Sequence, residues 1–170
     1  KLHVMPIFTK AGCNSGGCHG SSRGQDRFRL SLFGFDPQGD FFRLKNEFPG
    51  RRINLAAPQD SMILTKALKT VAHSGGQLFT KESNEYRVIL DWLKDGARYD
   101  KKNQKRAIKL DFFPKRSILL LESTQSISLR VTYSDGTDAD VSQLCSFIPS
   151  DERVARVDDQ EVAAFGQIDG

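Results

Sequence analysis

The chain has 170 residues, a net charge of +4 and a hydrophobic content of 38%, to which 12 Phe residues contribute. This length allows one large or two small domains, and the hydrophobic content suffices for a folded core. No apolar run approaches the length of a membrane span, and no basic stripe interleaved with aromatic residues indicates nucleic-acid binding. We therefore expect a protein that neither spans a membrane nor binds nucleic acid.

The positive charge is concentrated in the first hundred residues. Residues 1–100 contain 15 Lys+Arg against 10 Asp+Glu, whereas residues 101–170 contain 10 against 11. A basic rim is compatible with steering toward an acidic redox partner, although scattered surface charge is the simpler interpretation. No signal peptide opens the chain, and Lys1 does not resemble a native initiator, so we expect a mature product or an excised piece of a larger polypeptide.

The first hundred residues show a helical pattern interrupted by glycine-rich loops. Apolar spacing predicts a short helix within 2–11 and two longer helices, at Asp60–Val71 and 82–97, the last capped by Ser83. Residues 27–35 alternate in the way that favours a strand, although an extended loop remains open. A helix start follows at residues 36–40, with Phe41, Phe42 and Leu44 facing inward.

The loop after the first helix contains two thiols followed directly by an imidazole, namely Cys13, Cys18 and His19. This arrangement attaches a c-type haem: the thiols add to the two vinyl groups, and the adjacent histidine binds the iron. The usual spacing has two residues between the cysteines, and this chain has four. Gly16 and Gly17 give the longer loop freedom to close, because glycine tolerates positive φ.

Two other interpretations of this loop remain open. Zinc ligand pairs also lie two to four residues apart, and His73 or Cys145 could complete a zinc site. Adjacent Cys18 and His19 would, however, struggle to reach one small tetrahedral ion together. A disulfide bond between Cys13 and Cys18 is the third interpretation, in which His19 would be incidental.

A haem iron held by His19 has a sixth position, and its occupant decides between electron transfer and ligand chemistry. His3 and Met5 lie too near the cysteines in sequence to cross to the far face. Met62 falls within the apolar periodicity of a helix, which is more typical of a core residue than of a ligand. His73 lies in a glycine-rich loop between two helices, so we prefer His73 as the distal ligand, with Met62 as the alternative.

Beyond the basic stretch 101–106 the residues change to strand chemistry. Residues 117–121 form one apolar run, and 126–133 alternate with a period of two. A turn at 134–137 follows, and residues 154–157 and 161–165 predict further short strands. Short strands separated by turns indicate a sandwich. The carboxylates in its turns could suggest a calcium site, but exposed turn residues are the simpler explanation: Asp135, Asp138 and Asp140.

Residues 1–100 resemble the cytochrome c-like domains of planctomycete multidomain proteins. The resemblance implies a helical cytochrome c fold with one covalent haem c, in which the first and last helices cross. Related domains carry a methionine before the last helix, where this chain has His73. The resemblance rests on five further motifs in the same order as the family's, with four residues between the cysteines: Val4–Phe8, Leu32–Pro37, Pro58–Ser61, His73–Gly76 and Tyr86–Ala97.

Residues 114–170 resemble a bacterial immunoglobulin-like domain of the second group. The match runs through Leu129–Thr137, Asp140–Ser142 and Val154–Val157. Such domains continue for two more strands, so the resemblance implies a truncated sandwich with an open edge. Cys145 is the single cysteine in the sequence of this half and is interpreted as a small buried apolar residue.

The sequence thus predicts a multidomain chain: a mainly-α cytochrome c-like domain at 1–100, a linker at 101–113 and an incomplete all-β immunoglobulin-like sandwich at 114–170. The predicted function is a periplasmic or otherwise extracytoplasmic electron carrier, not an enzyme, with bis-histidine ligation and an unidentified redox protein as partner. The first alternative is a haem-based ligand sensor or peroxidase-like enzyme with a weak or vacant sixth site. The second is a structural zinc or disulfide module.

Overall fold

The chain divides into two compact units. The computed structural model describes residues 3–99, 105–158 and 161–164, and the units are Lys1–Lys101 and Lys102–Gly170. Over the described ranges, no helix combines the length and the apolar character needed to cross a membrane.

The first unit contains four short helices among its described residues. Asp36 begins the second by accepting a hydrogen bond from the backbone N–H of Gly39, and Ser83 begins the fourth by accepting one from Tyr86 N–H, which confirms the predicted cap. Single 3₁₀ turns lie at Leu32–Gly34 and Pro58–Asp60. The helices are α1 (Val4–Lys10), α2 (Pro37–Lys45), α3 (Met62–Ala67) and α4 (Asn84–Lys94).

One apolar cluster holds these helices together. Helices α1 and α4 contact each other, and α3 also contacts α4. The inward faces follow the predicted spacing, since Ile89 and Leu93 lie one turn apart on α4 and are almost completely buried. The cluster also includes buried residues from every other helix and from the loops: Val4, Ile7, Phe8, Leu30, Leu44, Ile53, Leu64, Ala67, Phe79 and Ala97.

Several local predictions differ from the structure. Helix α3 ends at Ala67 instead of Val71, because the backbone turns left-handed at Lys69, with φ 58°. Of the strand and the extended loop left open for residues 27–35, the structure has no strand: a turn at 26–27 leads through the irregular stretch 29–31 to the 3₁₀ turn at Leu32–Gly34. On α2, Leu44 is buried as predicted, whereas Phe42 is 55% exposed.

The second unit contains two three-stranded antiparallel sheets. One has the order β1-β3-β4 and the other the order β2-β6-β5. The turn at 134–137 closes β3 onto β4 as predicted, with Gly136 at φ 80°. The strands are β1 (Ala107–Phe113), β2 (Thr124–Ser126), β3 (Ser128–Tyr133), β4 (Asp138–Asp140), β5 (Ala155–Asp158) and β6 (Glu161–Ala164).

The predicted fold class is wrong for both units. The first is not mainly α, because its helices have only 7, 9, 6 and 11 residues and loops form the greater part of its described length. The second is not an immunoglobulin-like sandwich, because its six described strands form two small separate sheets. A cavity of about 420 Å³ lies among side chains of both sheets, including Phe112 of one and Val157 of the other. In a sandwich, a shared core would fill this space.

Two further segments of the second unit have a secondary structure that differs from the prediction. Strand β1 occupies 107–113, inside the predicted linker at 101–113, because its backbone pairs with β3 from Ala107 to Phe113. Residues 101–104 of that linker lie outside the described residues. The apolar run at 117–121 is not a strand, and Ile118 is fully exposed.

Candidate haem-binding site

The segment that carries both cysteines is a closed loop continuous with α1. The backbone N–H of Cys13 donates to the Phe8 carbonyl at 2.8 Å, so the loop begins as an extension of the helix. The N–H of His19 then donates back to the Cys13 carbonyl at 3.0 Å, and Cys18 N–H donates to Ser15 O at 3.1 Å. The loop therefore brings both thiols and the imidazole onto one short backbone ring.

Asn14, the first of the four residues between the two cysteines, anchors this ring. Asn14 is completely buried, and its amide Nδ2 donates to Thr9 Oγ1 of α1 at 3.0 Å. Its backbone carbonyl accepts a hydrogen bond from Phe33 N–H at 3.0 Å. Hydrogen bonds thus join the cysteine loop both to helix α1 and to the 3₁₀ turn at Leu32–Gly34.

Glycines shape the loop, but not the two that the sequence indicated. Gly12 has φ 72°, whereas neither Gly16 nor Gly17 lies in the left-handed region. At Gly20 a Cβ atom would lie 2.0 Å from the Asn14 carbonyl oxygen, so a side chain cannot fit there without moving the backbone. Closure therefore depends on close approach at Gly20 and on the turn at Gly12.

A backbone carbonyl fixes the orientation of the His19 ring. Nδ1 of His19 lies 2.9 Å from the carbonyl oxygen of Phe28. A carbonyl only accepts, so Nδ1 must carry the proton of this hydrogen bond, which leaves Nε2 unprotonated in the neutral ring. Histidine ligands of metals are commonly held this way, with one ring nitrogen donating to a carbonyl and the other facing the metal.

A tight turn aims the Phe28 carbonyl. Gln25 and Phe28 exchange both of their backbone hydrogen bonds, at 3.0 and 2.8 Å, across Asp26 and Arg27, which both have positive φ. This is the geometry of a type I′ turn. At Gly24 a Cβ atom would lie 2.0 Å from the same Phe28 oxygen. The carbonyl that orients His19 is therefore itself packed tightly in place.

The surroundings of His19 favour its neutral form. Burial lowers the pKa of the imidazole, and the hydrogen bond to Phe28 opposes that shift. The charges of His73 and Arg52 lower the pKa further, and Asp26 raises it. A neutral imidazole is the form that binds iron, so the environment suits a ligand.

The structure gives His73 a matching orientation. Its Nδ1 lies 2.9 Å from the Gly76 carbonyl oxygen, so in the neutral ring Nε2 is again the nitrogen without a proton. At Gly75 a Cβ would lie 2.9 Å from the ring carbon Cε1, which shows that the glycine makes room for the ring. The charge of His73 is among the causes that lower the pKa of His19.

The two thiols are free, and one is shielded. Cys13 packs against the apolar cluster, and burial raises the pKa of its thiol to about 11, with a smaller contribution from Cys18. Cys13 is therefore a neutral thiol at physiological pH. Neither cysteine forms a disulfide bond.

Met62 is not the core residue that its periodicity indicated. It begins α3 and is 38% exposed, whereas Leu64 two residues later is completely buried. Its role as an alternative iron ligand stays a prediction. Large apolar side chains are also exposed in the segments that follow the Phe28 turn and that precede His73, namely Phe33, Phe35 and Val71. Such side chains could cover a flat apolar macrocycle.

The residues proposed for other ions do not cluster. Within 3–99, 105–158 and 161–164, no group of three or more His, Cys, Asp or Glu side chains could hold a metal ion. The zinc alternative therefore has no ligand set in the described chain. Asp135 and Asp140 instead accept hydrogen bonds from Thr137 and Ser142 in their own turns.

Sequence reasoning missed two residues of the site. Phe28 contributes its backbone carbonyl, and no sequence motif predicts that role. The local sign of the tight turn that positions this carbonyl is Gly24. Arg52 is a long charged side chain that is only 5% exposed, and its contacts with Arg27 and Phe28 join residues that are distant in sequence. A comparison with family models, with curated proteins and with solved structures finds no match to this chain.

Proposed function

We propose that this chain carries one covalent haem c and transfers electrons outside the cytoplasm, without enzymatic activity of its own. Cys13 and Cys18 would hold the macrocycle, His19 would bind the iron on the proximal side, and His73 would bind it on the distal side. The partner would be a redox protein. The resemblance of residues 1–100 to planctomycete cytochrome domains supports this proposal in function, although not in fold class.

The observation that carries the proposal is the orientation of two histidines by backbone carbonyls. His19 and His73 each use Nδ1 to donate to a carbonyl, which leaves Nε2 of both rings available. His19 follows Cys18 directly, so the residue that would bind the iron and a residue that would form a thioether lie side by side in one loop. A zinc site uses a histidine in the same way, but it would need further ligands that the described residues do not group together.

Covalent attachment needs no oxidant. Each thiol adds across one vinyl double bond, with the sulfur bonding to one carbon and the hydrogen passing to the other. A bound haem would supply a one-electron couple between ferric and ferrous iron. The residues of this chain would bury the group, orient both imidazoles and keep exchangeable ligands away from the iron.

Attachment is tested by three cysteine variants produced in cells equipped for cytochrome maturation. Cys13→Ser and Cys18→Ser should each leave one vinyl group unreacted, and the double variant should lose all haem on acid–acetone extraction. Cys145→Ser is the matched control, because Cys145 belongs to the second unit, and it should retain its haem. Full retention of colour by the double variant would contradict the assignment.

The distal ligand is tested by carbon monoxide. With His73 on the iron, the reduced protein should show no rapid stoichiometric binding, and His73→Ala should bind carbon monoxide readily. Rapid binding by the unsubstituted chain would favour the ligand-sensor alternative instead. A methionine-to-iron charge-transfer band in the oxidised near-infrared spectrum would point to Met62.

A further inference from the structure

Three side chains form a continuous stack that ends on the proximal histidine. The ring of Phe28 lies 4.6 Å from the His19 ring, centroid to centroid, at an interplanar angle of 48°. The guanidinium carbon of Arg52 lies 4.5 Å from the centroid of the same Phe28 ring. These two distances place the Arg52 charge within about 9 Å of the His19 imidazole.

Arg52 is held rigidly in this position. It is 5% exposed, and its guanidinium donates to the backbone carbonyls of Arg43 and Arg27. Its charge is permanent over the physiological range, because a guanidinium does not lose its proton there. A buried charge is also screened little by salt.

Among the residues that the structure describes, the carboxylate that pairs with Arg52 is Glu47. Glu47 Oε2 lies 2.9 Å from Arg52 Nη1, and the Glu47 side chain is 36% exposed. The positive charge is therefore buried, whereas its negative partner faces water and is partly screened. Arg52 therefore contributes a positive field at His19, which the negative charge of Asp26 opposes.

We propose that Arg52 raises the reduction potential of the haem by placing a buried positive charge behind the proximal imidazole. This inference rests on the proposed function. Reduction adds one electron from a protein donor to ferric haem and moves no proton, so the bound group becomes less positive. A nearby cation disfavours the more positive ferric form and thereby favours reduction.

The expected size follows from Coulomb's law. For unit charges about 10 Å apart, effective dielectric constants between about 20 and 80 correspond to a roughly 2- to 15-fold change in the equilibrium between reduced and oxidised haem. This effect would partly offset the low potential that two imidazole ligands favour.

The test measures midpoint potentials of haem-loaded variants. Arg52→Gln removes the charge and should lower the potential by the amount that corresponds to this 2- to 15-fold change. Glu47→Gln removes the compensating charge and should raise the potential, by less. Arg51→Gln is the matched control, because Arg51 is the exposed neighbour of Arg52, and it should leave the potential nearly unchanged.

The opposite signs separate an electrostatic role from a structural one. Loosening of the stack by either variant would shift both potentials in the same direction, and that result, or no shift in either, overturns the inference. If Arg52→Gln fails to fold, Arg52→Met removes the charge with a different side chain: a lowered potential supports the role of Arg52, and an unchanged one refutes it. A colourless unsubstituted chain contradicts the proposed function, whereas a coloured chain with unmoved potentials contradicts only this inference.

Discussion

The two units of the chain are stabilised in different ways. In the first, one apolar cluster buries residues such as Leu64 and Ile89 completely, and the polar loops are fastened around it. In the second, backbone ladders join the strands and bury side chains such as Val131, while Ile108 and Leu110 of β1 remain largely exposed. The comparison teaches that a packed core can hold loops at defined positions without long helices, whereas strand pairing alone leaves apolar faces uncovered.

The largest expected effect contrasts two isoleucines. Ile89→Ala should lower the free energy of unfolding of the first unit by about 2–5 kcal/mol, because Ile89 is completely buried and the substitution leaves a cavity. Ile118→Ala should change the stability of the second unit by no more than about 0.5 kcal/mol, because that side chain is fully exposed. Denaturant unfolding followed by unit-specific probes measures both. Equal effects at the two positions would break the comparison.

The shielded thiol gives the next largest effect in the haem-free chain. The pKa of Cys13 is raised from 9.0 to about 11 by burial, so at pH 8 its thiolate fraction should be about 100-fold lower than in the unfolded chain. The raised pKa favours the protonated form in the folded state. Its contribution to stability is therefore complete below pH 9 and is lost as the pH rises through about 11.

Alkylation of Cys13 against pH checks this expectation. The rate in the folded chain should rise up to a midpoint near the raised pKa, about 11, and in guanidinium chloride the midpoint should return to about the usual value for a thiol. A folded-state midpoint at or below the unfolded one would show that the thiol is not shielded.

Close packing in the cysteine loop gives a smaller effect. Gly20→Ala would place a Cβ atom 2.0 Å from the Asn14 carbonyl oxygen, and the resulting backbone shift should cost about 1–3 kcal/mol and reduce haem loading. Gly17→Ala is the matched control, because nothing lies within 4 Å of its added Cβ. Thermal unfolding and the haem content per chain report the difference, and identical results for both variants would contradict the observed loop.

Polar contacts should matter relatively more in the second unit. Ser142 is 2% exposed, and its Oγ accepts from Leu129 N–H at 2.8 Å while donating to Asp140 at 2.6 Å. Ser142→Ala leaves the Leu129 N–H without this partner and should cost about 1–3 kcal/mol. Ser126→Ala, at an exposed strand position, should cost less than about 0.5 kcal/mol. Equal unfolding free energies for the two variants would contradict this account.

Local patterns predicted the elements that local interactions determine. The spacing of apolar residues and the Ser83 hydroxyl located α4 to within a few residues at each end, and the alternation at 126–133 located β3. The left-handed residue Lys69 shortened α3 without any glycine to signal it. Ends set by a non-glycine residue at positive φ leave little trace in the sequence.

Contacts between distant residues could not be predicted in the same way. The fold class failed because it depends on how elements pack, and the apolar run at 117–121 looks like a buried strand whether or not another surface covers it. In the candidate site, the motif identified Cys13, Cys18 and His19. The motif did not predict the Phe28 carbonyl, which contacts His19 only in the folded chain. Nor did it predict Arg52, which contacts the Phe28 ring.

The central claim is that a haem is bonded to the loop between Cys13 and His19. A pyridine haemochrome spectrum of the purified chain, made in cells with the cytochrome maturation machinery, tests this most directly because it reports haem content and thioether number together. The account predicts one haem per chain with both vinyl groups reacted. A colourless chain, or a spectrum with two intact vinyl groups, would contradict it.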